Sequence, residues 1–499
     1  MKQSLFTKHW LASISILLFF MAASTVASAT IRYVNHDGLC GGHSPCYITI
    51  QLAVNASAPG DVILVAAGVY NENVTVMTTL TLKGFQVGHD ARTRSGSEST
   101  INGGGANFTI NADNVTIDGF TLNGPVNAGS ASIVMQGGNT GETIQNNIFN
   151  NPGRAASFTT NNTVFTKNLV NNVFATASDG FQANTTPITN VSIYDNSFHG
   201  ANGNIYNADI TIIEGSSNVL ISGNKSTGDG TLIALFKTNA SLVIGNTVIG
   251  DGSSSAVYIG GGNSNVVVSG NTVSNAGSAV NVANNYGVGL NSSVTIIGNN
   301  LHNNITGIKV GASAVNSAGT VLAHNNKLVQ NSSFGFNNLS SFTQNATCNW
   351  WGAHNGPGPV GPGSGDKVSP GVIFSPWLHS EHASCGDMGE GNGKTTISEE
   401  VTEYVPPTPV DLKLSNFPNP FSSATTIKYD LPTDSKVSLK IYNSTGQVLA
   451  TLFEGDRKAG SYTAQFDATG HARGFYSCKL VANSGQKQSV QSIKLIVGK

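Results

Sequence analysis

The sequence predicts an all-β protein: a parallel β-helix followed by a small antiparallel β-sandwich. The first observation behind this is a recurring asparagine. It stands at Asn147, Asn168, Asn196, Asn224, Asn246, Asn271, Asn299, Asn326 and Asn349. Successive members are 21, 28, 28, 22, 25, 28, 27 and 23 residues apart. An apolar residue follows two places later in every case but Ser226, and Asn or Gly follows four places later in the first seven. A strand, a corner that tolerates positive φ and a return describe one coil of a solenoid. The second observation is a further apolar alternation within each coil, as in Ala256–Gly261, Ala279–Asn284 and Thr306–Ser313. Its period is two, with no helical period between the strands. The third is a double break in composition, after residue 379 and again at residue 411.

Residues 1–29 read as a secretory signal peptide. Lys2 and Lys8 precede an apolar run from Leu11 to Ala23, and Ala27, Ser28 and Ala29 fit a small-residue cleavage site. No other apolar segment approaches membrane-spanning length, so the mature chain is expected to have no transmembrane segment. Residues 30–379 form the β-helix. Its opening needs a cap, because an exposed apolar end invites aggregation. Residues 48–58 suit a short amphipathic helix there, and strands are expected at Val62–Ala66, Val74–Val76, Leu80–Leu82, Phe108–Ile110 and Val115–Ile117. Residues 380–410 carry six acidic residues against one lysine, then a Pro-rich stretch, and read as a linker. Residues 411–499 alternate polar and apolar residues in about seven short strands, as a small sandwich requires.

Charge separates these parts. The β-helix holds 15 acidic and 11 basic residues, the last domain 6 and 11. Over the whole chain only 10% of residues are charged and the net charge is −2, which argues against a nucleic-acid partner. The mature chain has five cysteines in an oxidising setting. The favoured disulfides are Cys40–Cys46 and Cys348–Cys385, one near each end of the solenoid, with Cys478 left as a buried free thiol.

Residues 30–379, with their repeat and stacked asparagine, resemble the right-handed parallel β-helix families that include pectin and pectate lyases. The block from Cys348 to Leu378 is similar to the closing segment of bacterial surface β-helix proteins. Residues 411–499 resemble the C-terminal sorting domain of the type IX secretion system of Bacteroidota. Asn416–Phe421 (NFPNPF) matches its opening motif, Val437–Leu449 its central hairpin, and the segments around Gly460–Tyr462 and Gly474–Tyr476 its Gly-x-Tyr strands. The resemblance implies partnership with the type IX machinery and export across the outer membrane. Removal of this domain or its attachment to the cell surface then follows.

The asparagines are assigned to stability: stacked amides about 4.8 Å apart bond to one another and to turn backbone. Two other sets are candidates for function. Asp229 and Asp251 each follow a ladder asparagine by five residues inside Gly-Asp-Gly. Stacked carboxylates recruit a cation, so calcium is the one cofactor the sequence suggests; the same triplet is also ordinary turn chemistry. Glu214, Lys237, Tyr258, Asn281 and Lys309 fall near one outward strand face, with Asp179 and Asp209 close by. An aromatic among amides and charges suits a glycan, and a solvated sheet face fits too. His379 and His382 offer a poorer metal pair. The Asn-Thr-Asp and Gly-His-Gly motifs of polygalacturonases and the Tyr-Gly-x-Asp-Pro-His signature of mannuronan epimerases are missing. The expectation is a secreted or cell-surface protein that binds a glycan or other surface without catalysis. The alternatives are a polysaccharide lyase or hydrolase and a structural surface stalk.

Overall fold

The computed structural model describes residues 29–383 and 413–497, apart from residues 128, 151–152, 172–178, 184–185, 201–207, 229, 285, 418–423, 432, 444–447, 459, 471–473 and 485–486. The described residues fall into two compact units, one on each side of Gly389. The signal-peptide region and residues 384–412 of the linker lie outside the described residues. Among the described residues no helix is long and apolar enough to cross a membrane.

The first unit is a parallel β-solenoid with three sheets running along it. The first sheet has 15 strands, the second 11 and the third 13. One coil shows the plan. Leu242–Ile244 lies in the first sheet, Thr247–Ile249 in the second and Ser255–Ile259 in the third. Each strand pairs in parallel with the strand about 25 residues on, as Val243 does with Val268 and Val248 with Val273. Alternation decides what faces inward. Val257, Ile259, Val280, Val282, Ile308 and Val310 all join one continuous core, as the period-two pattern requires.

The corner between the first two sheets is the most regular part. The residue before each ladder asparagine sits in the left-handed region: Asn146, Lys167, Asp195, Gly223, Gly245, Gly270, Gly298, Asn325 and Cys348. The sequence reading placed positive φ four residues after the asparagine. It occurs there at Gly200, Gly228, Asn275 and Asn303 but not at Gly250, and Asn151 and Asn172 lie outside the described residues; the position that turns every one of these nine coils is the one before. A left-handed residue turns the chain in one step, so the next strand begins directly after the asparagine, as Thr247–Ile249 does after Asn246. Asn246 shows the bonding. Its Oδ1 accepts from the backbone N–H of Asn224 at 2.9 Å and from Asn224 Nδ2 at 3.0 Å. Its Nδ2 donates to Ile221 O at 3.0 Å and to Asn271 Oδ1 at 2.9 Å. The other two corners carry shorter ladders, Asn263–Asn291 and Asn304–Asn331.

Asp366 ends the second of these. Its Oδ2 accepts from Asn331 N at 2.9 Å and Asn331 Nδ2 at 2.7 Å. Burial pushes its carboxyl up to about 6, against the opposing pull of those bonds. A carboxyl raised by folding stabilises the fold fully below its ordinary pKa and loses that contribution as pH rises through about 6. Asp366→Asn supplies the same acceptor without the charge. It is expected to raise the melting temperature at pH 8, by about 1–2 kcal/mol of stability after discounting for partial exposure, and not at pH 4. Equal melting shifts at both pH values would remove the charge from this account.

Both ends are closed. At the start, the helix Ile50–Asn55 buries Ile50, Ala53 and Val54. Thr49 caps it, and the Glu72 carboxylate accepts from Ile50 N and Gln51 N at 2.8 and 2.9 Å. Cys40 and Cys46 form the expected disulfide there. At the other end Trp351 is fully buried, with Phe374 and Trp377 packed against the same core. Cys348 is disulfide-bonded; its expected partner, Cys385, lies outside the described residues.

The second unit has seven antiparallel strands in sheets of three and four. Ile427 and Tyr429 from one sheet and Leu439, Ile441 and Leu480 from the other share a core separate from that of the solenoid. Cys478 is free and buried in it, and burial pushes its thiol up to about 12, so it is inert.

Candidate functional site

The outer face of the third sheet carries one continuous column of side chains. Ser157, Gln182, Thr211, Ala234, Tyr258, Asn281, Lys309 and Asn337 occupy matched register positions on successive strands. Their flanking residues Ile210, Ile212, Val257 and Ile259 turn into the core, so the column turns away from it. The site therefore follows from the register of a parallel sheet rather than from any loop motif.

At one end of the column stands Asp179. Its Oδ1 accepts from Thr211 Oγ1 at 2.5 Å and Ala208 N at 3.1 Å, and its Oδ2 from Gln182 Nε2 at 2.5 Å. Arg154 Nε lies 4.0 Å from Oδ2. Burial pushes this carboxyl up to about 6, while the Thr211 bond and the Arg154 charge hold it down. The opposite end is Asn281, whose Nδ2 donates to Ser255 Oγ at 3.0 Å, and Lys309, which forms no ion pair among the described residues. Two side-chain acceptors on the column are buried and lack a hydrogen-bond partner: Gln182 Oε1 and Asn281 Oδ1.

The sequence-predicted set is partly brought together. Tyr258, Asn281 and Lys309 stand side by side in the column. Tyr258 is not an exposed platform, however: it is 0% exposed. It faces away from the solenoid core, but Phe236 and Tyr286 cover it, with ring centroids 5.7 Å between Phe236 and Tyr258 and 5.5 Å between Phe236 and Tyr286. Ala208, Ala234 and Ala283 complete this second, outer apolar cluster. Alternation predicts the direction of a side chain and says nothing of what later folds over it. Glu214 and Lys237 stand beyond the strand ends in left-handed conformations and pair with each other at 3.8 Å. Both are about half exposed, so the pair adds little to stability.

Asp229 lies outside the described residues. The turn reading accounts for the geometry of Asp251: its carboxylate accepts from the backbone N–H of Ser253 and Ser254, both at 2.8 Å, and from both hydroxyls at 3.0 Å. Four donors occupy the oxygens a calcium ion would need, and among the described residues no three acidic, histidine or cysteine side chains converge. His379 stacks obliquely on His354, with centroids 4.9 Å apart, and His382 pairs with Glu381 at 3.0 Å. Sequence reasoning missed Arg154, Gln182 and Thr211. Aligning Arg154–Phe158 with Asp179–Ala183 and with Ala208–Ile212 would have placed them, but the segments preceding them differ in length.

Residues 415–497 match the family model described as a secretion system C-terminal sorting domain. The C-terminal unit is such a sorting domain. Its boundaries sit within the expected 411–499, and its presence places the protein among type IX secretion substrates, delivered to the cell surface or released. No curated protein matches the chain. Among solved structures, the chain is similar to the A-module of a mannuronan C-5 epimerase from Azotobacter vinelandii, at 15% identity and TM-score 0.41, covering 66% of this chain and 94% of that one. An alginate lyase from Paenibacillus is 13% identical, TM-score 0.33, over 69% and 99% of the two chains. The tailspike of Acinetobacter baumannii bacteriophage Fri1, a capsular polysaccharide depolymerase, is 11% identical, TM-score 0.41, over 94% and 78%. No residue role passes from them to the column or to the sorting domain.

Proposed function

We propose that this exported β-helix binds a polysaccharide along the outer face of its third sheet, without cleaving it. One observation carries the reading: Gln182 Oε1 and Asn281 Oδ1 are buried acceptors without a partner, on the same outward column. Buried polar atoms in folded proteins are almost always paired, so these two acceptors mark a place for an outside donor. Sugar hydroxyls are such donors. The Lys309 ammonium at the far end supports a glycan bearing some negative charge.

Asp179 supports binding over catalysis. Glycoside hydrolysis uses two carboxylates across an open cleft, one free to give a proton. Asp179 instead receives three hydrogen bonds from its own sheet and orients Gln182. The test is a glycan array with the secreted protein, followed by titration of the best ligand. Asn281→Ala combined with Lys309→Ala is expected to weaken binding about tenfold or more, through a lost hydrogen bond and a lost charge contact, with melting unchanged. Unaltered affinity in the double variant overturns the assignment. Release of reducing or unsaturated ends from the bound polymer overturns the non-catalytic part.

A further inference from the structure

A cleft separate from the column lies at the N-terminal end of the first sheet. It has a volume of about 400 Å³. That falls within the usual range for sites that take a small molecule. Its floor is the outer face of three paired strands, where Tyr33, Leu64 and Lys83 stand at matched register. Phe85 and Val87 line it from the segment that follows Lys83, and the disulfide loop at Cys40–Gly41 lines it from the other end of the chain's first coil.

Three features point to a ligand rather than to a packing gap. Tyr33 is held flat by stacking on His43, with ring centroids 4.4 Å apart and 13° between planes. Phe85 is left 54% exposed beside the cleft, so its ring is open to a ligand from solvent. Lys83 forms no ion pair among the described residues. Asp118, the acid at its register position on the next strand, spends its oxygens elsewhere: Oδ1 accepts from Gly88 N at 3.1 Å and Asn146 Nδ2 at 2.9 Å, and Oδ2 from Gln145 Nε2 at 2.8 Å. The cleft thus offers aromatic and aliphatic walls with one cation that forms no ion pair among the described residues.

We propose that this cleft is a second binding site, for a sugar residue bearing a carboxylate, such as a uronic acid at the end of a polysaccharide. The apolar C–H face of a pyranose fits against Tyr33, Leu64 and Phe85, and Lys83 takes the carboxylate. Aromatic walls supply contact area, and the single charge chooses acidic over neutral sugars. The proposal stands apart from the column on the third sheet, which it does not need.

The test is calorimetric titration of the full chain with galacturonic acid and its oligomers, against galactose and its oligomers. Saturable binding of the acidic series alone is expected. It should fall at least tenfold in Lys83→Met and in Phe85→Ala. Phe85 and Lys83 are surface side chains, so both variants should melt like the parent. Equal binding of neutral and acidic sugars, or acidic binding untouched by Lys83→Met, overturns the proposal. So does the absence of any heat at millimolar sugar. A loss in Asn281→Ala with none in Phe85→Ala would return the binding to the third sheet and leave the cleft empty.

Discussion

Deleting residues 411–499 is expected to abolish surface delivery while leaving the β-helix folded behind the outer membrane. The two units have separate cores: no buried residue of the solenoid cluster lies beyond Val372, and none of the sandwich cluster lies before Ile427. Among the described residues each unit therefore has a core built from its own side chains. The sorting domain occupies residues 415–497, so the cut removes the whole signal. Fractionation of cells expressing full-length and truncated chains measures the first half of this expectation. Circular dichroism and a melt of the truncated protein measure the second. Display of the truncated chain at the cell surface would contradict the role of the domain. A truncated chain without cooperative melting would contradict the independence of the cores.

Asn246→Ala should destabilise the solenoid by about 1–3 kcal/mol for each buried group left unpaired. The loss leaves the Asn224 backbone N–H without an acceptor, removes one of the two acceptors of its side-chain amide, and takes a donor from Ile221 O. Asn246 is 1% exposed, so water does not replace the missing partner. Asn281→Ala is the matched control, because its amide Oδ1 bonds to nothing in the fold and only one Nδ2 bond is lost. It should change stability by less than about 1 kcal/mol. Chemical denaturation of the two variants beside the parent gives the comparison. Indistinguishable midpoints would mean that the ladder carries no more of the stability than a surface amide does.

Much of the fold is legible because both of its periods are local. The asparagine spacing marks the coil, and the alternation around Val257, Val280 and Ile308 marks the inward face. The N-terminal helix is visible for the same reason, shorter than expected at Ile50–Asn55 because Thr49 supplies the cap that starts it. The candidate site was less legible. Tyr258, Asn281 and Lys309 align because their strands lie in the regular stretch of coils. Arg154, Gln182 and Thr211 belong to the same face, yet unequal connections hide their register until strands are paired in space. The burial of Tyr258 depends on Phe236 and Tyr286, neither of which its own strand predicts. Asp251 was legible as a turn residue, since Ser253 and Ser254 stand where an Asx turn needs donors.

The asparagine ladder also has a direction. Asn224 gives its backbone N–H to Asn246, Asn246 gives its own to Asn271, and Asn271 to Asn299. Along this series of bonds each coil is completed by the coil that follows it. A solenoid cut short from its C-terminal side always ends on a corner with an unanswered donor. Shortening from the other side leaves donors unanswered as well, since Thr247 N gives to Asn224 O and Asn246 Nδ2 to Ile221 O. The chain that leaves the ribosome, or crosses a membrane, N-terminus first carries this debt forward from coil to coil until Asn349 and the Trp351 cap discharge it.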